Sequence, residues 1–182
     1  MYEITFSQMF VFITVTWILV RGYFAWKSRH VSWRRECLLL TVYVCVMVIA
    51  RIVYFPLRHV EGHIGTLHFD AGKLIPLWIS LKPFYFLKDR YDGWQINVLG
   101  NIAMFIPVGI FWPLCFRKLD SVPKTVLAGF GFSFLIELSQ LLFYERGSDV
   151  DDLILNTAGV FIGSLICFLV IKPDRKSKVR RT

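Results

Sequence analysis

The chain has 182 residues, the length of one ordinary domain, yet 55% of them are hydrophobic and 16% aromatic, more than a soluble domain of this size can hide in its core. The excess has to face lipid. The formal net charge of +8 would suggest nucleic acid in a soluble protein, but the Lys and Arg residues gather between apolar runs and at the C-terminal end, the pattern of orientation signals, so no nucleic-acid partner is expected.

A helical span needs about 20 apolar residues, and about five such runs occur in chain order. The first reaches from Phe6 to Phe24. Met1, Tyr2 and Glu3 before it lack the positive region of a signal peptide, so the run is expected to be retained. A basic stretch with Arg21, Lys27, Arg29, Arg34 and Arg35 follows, then a second run from Cys37 to Phe55, closed by Pro56. Leu57 to Gly93 is too polar to span, and its Trp and Tyr residues suit the membrane interface, as an anchored connector or as a lid or re-entrant segment. The third run reaches from Trp94 to Phe116, with Pro107, Gly109 and Pro113 expected to kink it; the fourth extends from Val122 to Tyr144 and the fifth from Leu153 to Ile171. Cys37, Cys45, Cys115 and Cys167 all fall inside apolar runs without paired ligand spacing, which implies neither a disulfide framework nor a zinc site.

The predicted fold class is all-α, a polytopic membrane helix bundle of about five transmembrane helices. Charge orients it, because short cytoplasmic loops hold the Lys and Arg excess. The loop after the first span, the loop with Arg117, Lys118 and Lys124, and the tail with Lys172, Arg175, Lys176, Lys178, Arg180 and Arg181 are basic, whereas most acidic residues lie on the other side. The N-terminus is expected outside and the C-terminus in the cytoplasm, with an external interfacial segment between spans two and three. Residues 1–69 would hold two helices and the start of the external loop, and 172–182 a basic cytoplasmic tail.

Polar side chains inside spans are costly and normally face the bundle, where they often mark function. Span two holds Arg51, span three Asn97 and Asn101, span four Glu137 and Gln140, and span five Asn156 behind Asp149, Asp151 and Asp152. Ser133, Glu137, Gln140 and Tyr144 share one helical face, and Asp152, Asn156, Gly159 and Gly163 repeat that spacing on span five. A polar pocket among spans two to five, open toward the outer leaflet, is the expectation. Simpler roles compete with it. Gly159 and Gly163 fit close helix packing, Ser148 or Asp149 fits a helix start, Asn97 and Asn101 fit interhelical bonds, and Arg51 with Glu137 fits a buried ion pair. His59 and His63 have helical ligand spacing, but two histidines alone do not define a metal site, and none is assigned.

The ordered set Asn97, Gly100, Asn101, Phe105, Pro107, Gly109, then Glu137 and Gln140, then Gly147, Asp149, Asp152, Asn156, Thr157, Gly159 and Gly163 resembles the VanZ-like membrane proteins, a family named for a member associated with teicoplanin resistance. Leu74, Ile75 and Pro76 resemble the short motif preceding their long span, and the likeness marks out 70–171 as a VanZ-like domain. The resemblance implies an envelope-related role without a settled reaction. Partners would be membrane lipids or lipid-linked envelope components, with cofactor and oligomeric state unspecified. In the first reading Arg51 or Arg146 holds an anionic head group, and Asn97, Asn101, Gln140, Asp149 and Asn156 complete the binding site. In the second, a metal-assisted membrane enzyme, Glu137 acts as general acid or base while Asp149 and Asp152 hold a divalent cation. A non-catalytic scaffold is the third.

Overall fold

The computed structural model describes residues 2–28, 32–55, 64–70, 72, 79–84 and 93–172. Arg58, His59, His63, Leu74 to Pro76, most of the aromatic connector and the basic tail beyond Lys172 lie outside the described residues.

Of the described residues 75% are helical, which bears out the all-α expectation. The helices are α1 (Phe6–Ser28), α2 (Trp33–Tyr54), α3 (Trp94–Cys115), α4 (Val122–Gln140) and α5 (Val150–Ile166), the last prolonged by a π-helical turn over Cys167–Ile171. All five are long and apolar enough to cross a membrane. Helix α2 begins four residues before the expected Cys37, because Trp33 and the charged Arg34, Arg35 and Glu36 are helical as well. Helix α4 ends four residues before the expected Tyr144. There the Leu142 and Phe143 amides turn back onto the Ser139 and Gln140 carbonyls, and the Tyr144 amide bonds the His68 carbonyl at 2.9 Å. Tertiary pairing thus overrides the apolar pattern, and Tyr144 leaves the expected helical stripe.

Two short strand pairings also form that hydropathy did not announce. β1 (Tyr2–Ile4) runs antiparallel to β2 (Leu67–Phe69), and β3 (Ile79–Ser80) runs parallel to β4 (Ser148–Asp149).

The chain divides into two compact units. In the first, Met1–Ser80 with Ile136–Asp149, the core is Phe55, Leu67 and Phe143, wrapped by Ile4, Phe6, Met9, Tyr54 and Phe69. Helices α1 and α2 form a hairpin joined by the Thr14–Tyr43 hydroxyl contact at 2.7 Å and by Arg21 bonded to Glu36.

The second unit comprises Leu81–Leu135 and Val150–Thr182. Its spine is the seam between α3 and α5, where Phe105, Val108 and Val160 are fully enclosed. The seam is close because it is lined by glycine. A Cβ on Gly163 would lie 2.1 Å from the Ile106 carbonyl oxygen, one on Gly159 2.3 Å from that of Ile102, and one on Gly109 2.3 Å from that of Val160. The Gly159 and Gly163 pair therefore serves helix packing, as the small-xxx-small spacing suggested. Helix α3 remains one element through Pro107 and Pro113, and the Pro113 carbonyl accepts a bond from the Lys172 ammonium at 2.5 Å.

Candidate functional site

In the first unit, polar side chains converge on the C-terminal end of α2. The last carbonyls of any helix lack intrahelical donors and carry partial negative charge. Here Gln140 Nε2 reaches the Val53 carbonyl at 3.5 Å, Arg146 Nε donates to that of Tyr54 at 3.1 Å, and Arg51 Nη1 to that of Phe55 at 3.1 Å. Three residues that the sequence offers as ligand groups thus also cap a helix. The Arg51 guanidinium lies 5.6 Å from the centroid of the Phe6 ring, a cation–π distance. The Tyr54 hydroxyl meets Ser139 Oγ, a partnership no sequence signal announced.

Glu137 and Gln140 occupy the last turn of α4, and both are nearly inaccessible, at 4% and 5% exposure. The Glu137 carboxylate accepts the Asp149 amide N–H at 2.9 Å, so an intramembrane acid holds the backbone just before α5. Gln140 Oε1 has no hydrogen-bond partner among the described residues. A buried amide oxygen in that state costs about 1–3 kcal/mol, so Gln140 Oε1 stands out as an acceptor that the described residues leave unsatisfied.

The second unit gathers the remaining predicted residues. Asn101 Nδ2 donates to Asp152 Oδ1 and approaches Asn97 Oδ1 at 3.4 Å, tying α3 to the first turn of α5. Asn156, 2% exposed, donates to Ser133 Oγ at 3.0 Å, while its Oδ1 has no partner among the described residues. Asp151, in the first turn of α5, is buried and accepts the Phe84 amide N–H at 2.6 Å. Phe84 has φ 59°, a left-handed conformation unusual for a bulky side chain, and this bond helps hold it there. Asn97 itself is exposed.

A further cluster, outside the helices, went unseen in the sequence because its members are distant in the chain. His68 on β2 donates its amide to Glu145 Oε2 at 3.0 Å and sets its ring between Glu145 and Glu3. Hydrogen bonding to Glu145, supplemented by Glu3, raises the His68 pKa above its ordinary value. Partial burial pushes Glu145 up, but the bonds from the His68 amide and ring outweigh it and leave its pKa lowered. No group of three or more His, Cys, Asp or Glu side chains among the described residues is placed to hold a metal ion.

No solved structure matches the chain. Protein VanZ of Enterococcus faecium is 29% identical over 85 residues, which cover 47% of this chain and 52% of that protein. The chain thus spans about half the length of that curated relative. The VanZ/LLP1 family model matches residues 38–171, taking in most of α2 as well as the motif-bearing helices. With that match over most of its length and five helices able to cross a membrane, the chain belongs to the VanZ/LLP1 family and is a multi-pass membrane protein.

Proposed function

We propose that this protein binds a cell-envelope lipid or lipid-linked component by its polar head, and that it thereby alters susceptibility to a lipid-tailed glycopeptide such as teicoplanin. The supporting observation is Gln140 Oε1, a buried acceptor with no partner among the described residues, one turn from the buried carboxylate of Glu137. An envelope head group rich in hydroxyl or ammonium donors suits that acceptor, and the Arg51 and Arg146 guanidinium groups suit its phosphate or carboxylate. The similarity to protein VanZ makes the envelope the place to look.

In this reading the charge-inside pattern puts the site toward the outer leaflet. Asn97, Asn101, Asp152 and Asn156 are proposed as a separate set of hydrogen-bonding groups in the second unit, tested by their own variants. The decisive experiment is native mass spectrometry of detergent-purified protein supplied with envelope lipid extract, wild type beside Gln140→Leu and Glu137→Gln, with teicoplanin susceptibility of cells expressing each. A lipid retained by wild type and lost from both variants, with the change in susceptibility lost too, is expected. Equal retention and equal susceptibility in all three would overturn the proposal.

A further inference from the structure

The α1–α2 hairpin has a second feature, at its end near Trp33. Between the helices lies a cavity of about 500 Å³, open along one side and walled by Trp17, Ile18, Gly22, Ala25, Cys37 and Leu40. Ligand cavities commonly have about 300–1,000 Å³, so the space is of useful size. Its walls are apolar apart from Arg21 and Glu36, which bond each other in a two-pronged ion pair and so satisfy most of each other's charge. Helix α1 leaves the space open because it meets α2 at few points along its length, and none of its most apolar stretch is buried.

Charge and ring placement at the mouth indicate the occupant. Lys27, Arg34 and Arg35 are exposed at this end, while Glu36, the acidic residue beside them, is already held by Arg21. Trp26 and Trp33 are 79% and 81% exposed there, the position in which indoles settle at a bilayer interface. A cation-rich, indole-flanked mouth over an apolar trough complements a molecule with an anionic head and a hydrocarbon tail.

We propose that this groove is a binding site for an anionic diacyl phospholipid. One acyl chain lies along Ile18, Gly22, Ala25 and Leu40, and the phosphate head meets Lys27, Arg34 and Arg35. The site is independent of Glu137 and Gln140, and the basic end of the hairpin assigns it to the leaflet on the side of the basic loop.

Gly22 offers a direct test, since a Cβ added there meets nothing within 4 Å. Full-length protein would be purified in a nonionic detergent, supplied with phosphatidylglycerol or phosphatidylcholine, and analysed by native mass spectrometry. The wild type is expected to retain one phosphatidylglycerol about tenfold better than phosphatidylcholine. Gly22→Phe should abolish that retention by filling the trough, with Ala25→Leu as the second filling variant should the first fail to fold. Arg34→Gln combined with Arg35→Gln should make the two lipids equal, and Gly100→Ala, where an added Cβ meets nothing within 4 Å, should leave the preference intact. Undiminished phosphatidylglycerol retention in a folded filling variant, equal retention of both lipids by wild type, or a wild-type dimer that the filling variant splits would each overturn the assignment; the last would make a second copy the occupant.

Discussion

Replacing Gly163 by valine tests the glycine-lined seam between α3 and α5. Real Cβ contacts essentially never fall below 3.0 Å, whereas a Cβ here would stand 2.1 Å from the Ile106 carbonyl oxygen, a backbone atom that cannot swing away. The helices must therefore part by about 0.9 Å at this level. A gap of about 0.5–1 Å forfeits a quarter to a half of each dispersion contact across it, and each optimal atom pair contributes about 0.1–0.2 kcal/mol. The enclosed Phe105 side chain lies on this seam against Gly159, and one large buried side chain makes about 40–60 such contacts. The loss comes to roughly 2–4 kcal/mol. At about 2–4 °C per kcal/mol for a chain of this size, the melting temperature should fall by roughly 5–15 °C. Thermal unfolding followed by size exclusion in detergent would measure it, with Gly100→Ala as control because a Cβ there meets nothing within 4 Å. A Gly163→Val protein that melts with the wild type would refute the reasoning.

Two further predictions concern the segments outside the spans. His68, with its pKa raised, stabilises the fold fully below the ordinary value of 6.5, and the contribution fades as pH rises through its folded value. Glu145, with its pKa lowered, contributes above its ordinary 4.5 and the contribution fades as pH falls through its folded value. Protection of the Leu67 to Phe69 amides from hydrogen exchange should accordingly be greatest between those values, and Glu145→Gln should flatten the profile; an unchanged profile in that variant would refute the clasp. Phe84→Gly should raise the melting temperature, since a left-handed non-glycine residue costs on the order of 1–3 kcal/mol and the Phe84 side chain is half exposed. Asp151→Ala should speed exchange of the residue-84 amide, which would keep its wild-type rate if Asp151 served only the helix start.

The spans were legible because lipid demands length and apolarity over whole segments, and Phe6, Trp94 and Val122 start helices where hydropathy places them. Ends were less legible. At Tyr144 the apolar pattern continues, but pairing with His68 and Phe69, more than seventy residues away, decides the backbone. The candidate residues were legible as polar groups in apolar surroundings, and the contacts Asn97–Asn101 and Asn101–Asp152 follow helical spacing and motif order. Their partners were not, because Val53, Tyr54 and Phe55 enter through backbone carbonyls that no side-chain pattern encodes. The same holds for the Glu3–His68–Glu145 cluster, assembled by a β pairing only three residues long.

This distribution of partners determines which substitutions can separate architecture from ligand chemistry. Backbone amides outside the helices still need acceptors where they are buried, and two buried acids provide them: Glu137 for the Asp149 amide and Asp151 for that of Phe84. An alanine at either position removes an acceptor as well as a charge, so a loss of function there would not distinguish a misplaced backbone from a missing ligand contact. Glu137→Gln keeps an acceptor for the Asp149 amide while removing the charge and turning the second oxygen into an N–H donor. Gln140→Leu removes the buried oxygen that has no described partner, and it relinquishes only a bond at the long limit of 3.5 Å to Val53. If both retain the wild-type fold while lipid retention falls, the lost property belongs to the carboxylate charge and the amide oxygen themselves, because the backbone contacts around them would still be made.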